Sequence, residues 1–253
     1  MFLSTLLIDT GTNPDRPRPG RLWLRNVYRV HQRLCMAFPS KDRRGGDEQF
    51  LKPYDPAQFA QGHVHVERDD DAGFLFRVDP LPGGGAMIVV LSAIQPDWGY
   101  AFHNARHLLA AEPAKSHFLE VAIECGKRFR FRLLANAVKR ARRQSMHRDG
   151  KPIQEKWAGK RIGINGDEKS LRYWIDCRAG DAGFAVEELT LAHPGYAYAS
   201  KTHEAGAGRR LRSVRYEGML KITDADKFRQ ALAHGIGPAK AFGFGLLSIA
   251  PAG

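Results

Sequence analysis

Two rhythms of apolar residues, period two and period three-to-four, trade places along the chain. FLSTLLI (2–8) reads as an opening strand, and GTNPDRPRPG (11–20) as a Pro/Gly loop. From Trp23 onward, Val27, Val30, Leu34 and Phe38 recur at spacings of three, four and four. That spacing predicts one amphipathic helix over 23–38, ended by Pro39. The polar stretch 41–65, broken by Gly and Pro, is predicted to be a surface insertion. FLFRVD (74–79) and AMIVVLS (86–92) predict two strands joined by the turn PLPGGG. Residues 93–117 carry no clear period beyond one helical turn, and FLEVAIE (118–124) alternates as a strand does.

A second series then begins. RFRFRLLAN (128–136) predicts a strand with Arg128, Arg130 and Arg132 on one face. DEKSLRYWIDCRAG (167–180) predicts a helix ending at Gly180, with Leu171, Trp174, Ile175 and Arg178 along one side. VRYEGMLKI (214–222) reads as a strand, and Thr223 with Asp226 as the capping pair of a helix that stops at Gly235. GLLSIA (245–250) is a terminal strand. Strands are not each followed by a helix, so a doubly wound parallel sheet is disfavoured. With a weak strand between the helix over 167–180 and the strand over 214–222, two tandem ferredoxin-like (RRM-like) βαββαβ domains of the α+β class fit the order better. The expected boundary lies near residue 125, giving domains 1–125 and 126–253.

Charge changes this picture. Lysines and arginines number 39 against 27 acids over 253 residues, a formal net charge of +12. Thirteen of those cations and only two acids fall between Gly126 and Arg161, so that segment carries +11. Such a density repels itself unless a counter-charge arrives, and a polyanion is the economical partner. Nucleic acid is expected before membrane lipid, because the segment lacks the apolar face of an interfacial helix. A second cluster, Lys201, Arg209, Arg210, Arg212 and Arg215, flanks the Gly-rich turn EAGAG. No apolar run approaches the length of a membrane span, and MFLSTLLIDT lacks a basic n-region. Cys35, Cys125 and Cys177 form no CxxC pair, which speaks against a disulfide framework or a zinc box. A cytoplasmic setting is the default expectation.

Candidate chemistry is sparse. GIGPAKAFGFG (235–245) matches neither GxGxxG nor the P-loop pattern. It admits a packing loop, or a nest of backbone N–H groups with Lys240 turned to phosphate. Tyr28 and His31 share a helix face, a pairing compatible with packing or with catalysis. His103 and His107 have zinc-ligand spacing but no evident third partner, and HExxH, GxSxG and acidic metal clusters are all missing. Acid–base work by His, steadied by positive charge, is what remains for breaking RNA.

Taken together, these blocks resemble the CasE family, CRISPR repeat-processing endoribonucleases of type I-E antiviral defence systems. The blocks are YRVHQRLCMAFP (28–39), FLFRVD, IQPDW (94–98), FRFRLLANAVKR (129–140), YEGMLKI (216–222) and HGIGPAKAFGFGLLSIAP (234–251). The last is the most specific. The family's Arg-Leu-Arg-Ala-Asn-Pro stands here as Arg132-Leu133-Leu134-Ala135-Asn136-Ala137. The resemblance implies a metal-independent nuclease that binds the stem-loop of the CRISPR repeat and cuts at its base. It implies catalysis by His31 with Tyr28, no cofactor, and retention on the crRNA beside other Cascade subunits at the 3′ end of the guide. RNA contacts are expected from Arg128, Arg130, Arg132, Lys139, Arg140, Arg142, Arg143, Lys160, Arg161, Lys201, Arg209, Arg210 and Lys240. A non-catalytic RNA-hairpin-binding subunit and a structural or DNA-binding protein are the alternatives.

Overall fold

The computed structural model describes residues 1–11, 19–38, 73–82, 85–112, 116–118, 121–140, 159–164, 167–200 and 208–252. The predicted insertion over 41–65 lies outside them. The chain forms two compact units, Met1–Val121 and Ala122–Gly253.

The first unit runs β1 (Phe2–Ile8), α1 (Pro19–Leu24), α2 (Val27–Cys35), β2 (Phe74–Pro80), β3 (Ala86–Ser92), α3 (Trp98–Phe102) and β4 (Ser116–Phe118). Its sheet has the order β2-β3-β1-β4, every neighbouring pair antiparallel. This is the arrangement a βαββαβ chain adopts when both helices cover one face. On that face Leu6 and Ile8 of β1, Ile88 and Val90 of β3, and Phe76 of β2 pack against Val30 and Leu34 of α2. Each fully buried aliphatic side chain contributes about 1.5–3 kcal/mol, so the stripe read from sequence is what seats α2.

Three predictions are corrected here. The single helix over 23–38 is two helices, because the Asn26 side chain accepts the Tyr28 backbone N–H and starts a new N-terminus. The first of them starts at Pro19, inside the predicted loop, where proline suits the first helical turn. The strand expected over 118–124 instead pairs at Ser116–Phe118, against Ser4, Leu3 and Phe2, while 121–124 stay irregular.

The second unit runs β5 (Arg128–Ala135), β6 (Val138–Arg140), β7 (Arg161–Gly163), α4 (Glu168–Asp181), β8 (Phe184–Ala199), β9 (Arg209–Ile222), α5 (Ala225–His234) and β10 (Leu247–Pro251). The main sheet repeats the same topology, β10-β5-β9-β8, again antiparallel. Both units are therefore ferredoxin-like, as the strand and helix order predicted. Phe129, Phe131 and Leu133 of β5 face inward at period two. Trp174 of α4 stacks on Tyr216 of β9 at 5.7 Å, and Phe228 of α5 meets Phe184 of β8 edge-on at 5.8 Å. Ala179, not Arg178, completes the buried side of α4; Arg178 sits over the Trp174 ring instead. The cap of α5 is Asp224 rather than Thr223, its carboxylate accepting from the N–H groups of Asp226 and Lys227. Those bonds hold the Asp224 carboxyl below its ordinary range.

Candidate active site and nucleic-acid interface

Spacings of three and four put Tyr28, His31 and Cys35 on one face of α2. The structure adds a floor. Phe74 and Phe76 alternate along β2 toward that face, and the His31 ring stacks on both, at 5.5 Å and 6.1 Å between centroids. Phe38 in turn stacks on Phe74 at 4.7 Å. The imidazole is thus half-buried, held flat on aromatic carbon, and oriented by contacts on β2 and α2.

Two neighbours complete it. Cys35 Sγ lies 3.6 Å from His31 Nε2, one turn further along the helix, in a thiol–imidazole hydrogen bond. The Tyr28 ring centroid is 6.4 Å from that of His31. Burial, and then the nearby Cys35 sulfur, push the Tyr28 phenol above its ordinary value of 10.0. It therefore keeps its proton at neutral pH and suits a hydrogen-bond donor or orienting group rather than a base. Arg33, from the helix's other side, ties α2 to the end of α3, donating to the Ala101 carbonyl at 3.0 Å and Asn104 Oδ1 at 2.8 Å. Among the described residues no three His, Cys, Asp or Glu side chains converge as metal ligands would. His103 simply closes α3 through the Tyr100 carbonyl.

In the second unit the basic residues sort into three settings. Arg128, Arg130 and Arg132 do share the outward face of β5, but each is engaged within its own sheet. Arg128 Nε is 2.9 Å from Glu187, Arg132 Nε is 2.6 Å from Glu217, and Arg130 donates to the Pro251 carbonyl at 3.3 Å. Such half-exposed ion pairs contribute only about 0–1 kcal/mol each, so a phosphate can replace the carboxylate at little cost.

Lys139, Arg140, Lys160 and Arg161 belong to the small β6–β7 arm, all exposed. Its root is anchored: Trp174 Nε1 donates to the Val138 carbonyl, and the Ile164 N–H to that of Ala137. Arg140 and Arg161 are directly opposed across the two strands. Like charges in that position repel.

Lys240 occupies a short 3₁₀ turn within the Gly-rich loop, and partial burial lowers its pKa. The packing role of this loop is visible. Gly237 and Gly245 both have positive φ; a Cβ on Gly237 would press on the Trp174 ring at 3.2 Å, and one on Gly245 on the Ile236 carbonyl at 2.8 Å. Ala239, at φ 66°, adopts the left-handed conformation without being glycine. Arg209 and Arg210 lie at the start of β9. Arg142, Arg143 and Lys201 lie outside the described residues. Sequence reasoning missed Cys35 and the Phe74–Phe76 floor; the i, i+4 spacing to His31 was a visible signal for the first.

Comparison with known proteins follows from the same span. A family model described as CRISPR associated protein matches residues 1–251. The chain is 26% identical over 99% of its length to the CRISPR-associated endoribonuclease Cse3 of Thermus thermophilus, covering all of that protein. It is likewise 26% identical over 99% of its length to the Cascade subunit CasE of Escherichia coli, again covering all of it. In structure it resembles the endoribonuclease Cse3 solved with a 19-nucleotide RNA, with a TM-score of 0.66 at 24% identity, covering 99% of this chain and 100% of that one. That likeness carries the fold.

Proposed function

The chain belongs to the CRISPR-associated protein family, and from that premise we propose that it is a metal-independent endoribonuclease cutting precursor CRISPR RNA at the base of the repeat stem-loop. The observation that carries the reading is His31, half-buried on Phe74 and Phe76 with a protonated phenol and a thiol on its own helix face. The ribose 2′-oxygen attacks the adjacent phosphorus as its proton leaves. The bond to the 5′-oxygen breaks and that oxygen takes up a proton. The products are a 2′,3′-cyclic phosphate and a 5′-hydroxyl. Imidazole titrates near neutrality, so His31 suits either transfer. Tyr28 donates to a non-bridging oxygen or orients the phosphate, and cations offset the charge that develops there. The stem is read by shape and backbone, since A-form RNA hides its base edges in a narrow major groove. The protein then stays on the guide RNA beside other Cascade subunits, a reading supported by the name of its E. coli relative, which is a Cascade subunit.

Incubation with repeat RNA in excess EDTA should yield one cut bearing a cyclic phosphate. A 2′-deoxy substitution at the cut should abolish it. Cleavage that needed a divalent ion, or survived the deoxy substitution, would overturn the mechanism; binding without cutting would make this a hairpin-binding subunit.

Cys35 enters as a positioning residue. With the sulfur gone, His31 Nε2 loses a partner that orients the ring. Cys35→Ala should slow cleavage severalfold and displace the pH–rate profile, whereas Cys35→Ser should restore both. Equal behaviour of the two variants would reduce Cys35 to packing.

A further inference from the structure

Beyond Ala192, β8 and β9 continue as a two-stranded ribbon, with Tyr196 opposite Arg212 and Tyr198 opposite Arg210. Cross-strand partners and period two place all four side chains on one face. It is the face that, nearer the helices, carries Val214 and Tyr216 into the core beneath α4. Here it emerges into solvent: Tyr196 is 61% exposed and Tyr198 40%. Two exposed tyrosines on one short ribbon are unusual, because aromatic surface left in water forfeits its burial.

The four side chains are also arranged. The Arg210 guanidinium lies over the Tyr196 ring at 4.8 Å, a stacked pair already formed. Tyr198 packs against Gly208, where any Cβ would collide with the Cε2, Cζ and hydroxyl end of its ring. Arg212 donates to the Ile164 carbonyl at 3.2 Å, and the Asn136 amide donates to the Arg212 carbonyl at 2.9 Å, fixing the ribbon to the root of the β6–β7 arm. Alternating aromatic faces and guanidinium groups on a braced strand pair match one ligand chemistry: unpaired bases joined by phosphates. A duplex stem cannot use such a platform, since its base faces are already stacked.

We propose that the Tyr196–Tyr198–Arg210–Arg212 face binds the single-stranded RNA flanking the hairpin, stacking bases on the tyrosines while the arginines meet the intervening phosphates. This rests on the hairpin-binding reading above. The two are separated by comparing a blunt repeat hairpin with the same hairpin carrying a single-stranded extension on either side. Wild-type protein should bind the extended RNA more tightly. Tyr196→Ala with Tyr198→Ala should erase that gain, a loss of about ten- to hundredfold on the extended RNA, and leave the blunt hairpin unaffected. Tyr196→Trp should retain it, and Arg210→Gln should flatten the salt dependence more on the extended RNA than on the blunt hairpin. Equal loss on both RNAs would overturn the proposal, as would no loss on either; if the tyrosine variants instead released a Cascade subunit, the face is a protein-docking surface. Failure of wild-type protein to bind the blunt hairpin would condemn the parent reading instead.

Discussion

His31→Ala should lower single-turnover cleavage of repeat RNA by about 10²–10⁴-fold, the usual range for losing a positioned acid or base, while hairpin affinity holds. The split matters because Ala also removes a ring that stacks on Phe74 and Phe76. His31→Phe supplies the control: it keeps an aromatic ring on the same floor and removes only the nitrogens. Both variants should bind, and both should cut more slowly by that factor. Added imidazole should recover part of the rate in the Ala variant, which leaves room for it, and none in the Phe variant. Cutting by His31→Phe at the wild-type rate would exclude this ring from proton transfer and end the assignment.

What the sequence made legible, and what it did not, divides along the range of the interactions. The inward stripe of α2 and the alternation of β5 are local, and both stand where the residues put them. β8 was barely readable although it spans sixteen residues. Register shifts between Val186 and Glu188 and between Ala192 and Gly195 break its alternation, so no single phase runs its length. β6 and β7, at three residues each, are too short to show any period. The site divides in the same way. Helical spacing placed Tyr28 beside His31, but the floor under the imidazole comes from β2, far along the chain and brought in by sheet pairing. The count of cations on β5 was right, yet it overstated the free charge, because Glu187 and Glu217 reach Arg128 and Arg132 only once β8 and β9 are in register. Net charge along a sequence cannot register such neutralisation.

The second large effect concerns binding, and it reverses the usual cost of a substitution. Arg140 and Arg161 oppose each other on a hairpin of three-residue strands, where like charges destabilise by roughly 0.2–1 kcal/mol. A chain selected for stability alone gains nothing from that pair; a phosphate between the two guanidinium groups relieves it. Replacing either residue by Gln should therefore hold or slightly raise the thermal midpoint of the free protein. The same change should weaken hairpin binding by about tenfold per arginine, as expected for a charge-assisted hydrogen bond. The slope of log affinity against log salt should also fall by about 0.7–0.9 for each phosphate left without its arginine. The double variant should show both effects together, and thermal melting with and without RNA should show the stabilisation by ligand shrinking in step. If each single variant melted lower and bound as before, the opposed pair would be structural and the RNA would not pass over this arm. The expected result would instead tie the excess of positive charge to a partner rather than to the fold, with the repulsion kept in the free protein and cancelled in the complex.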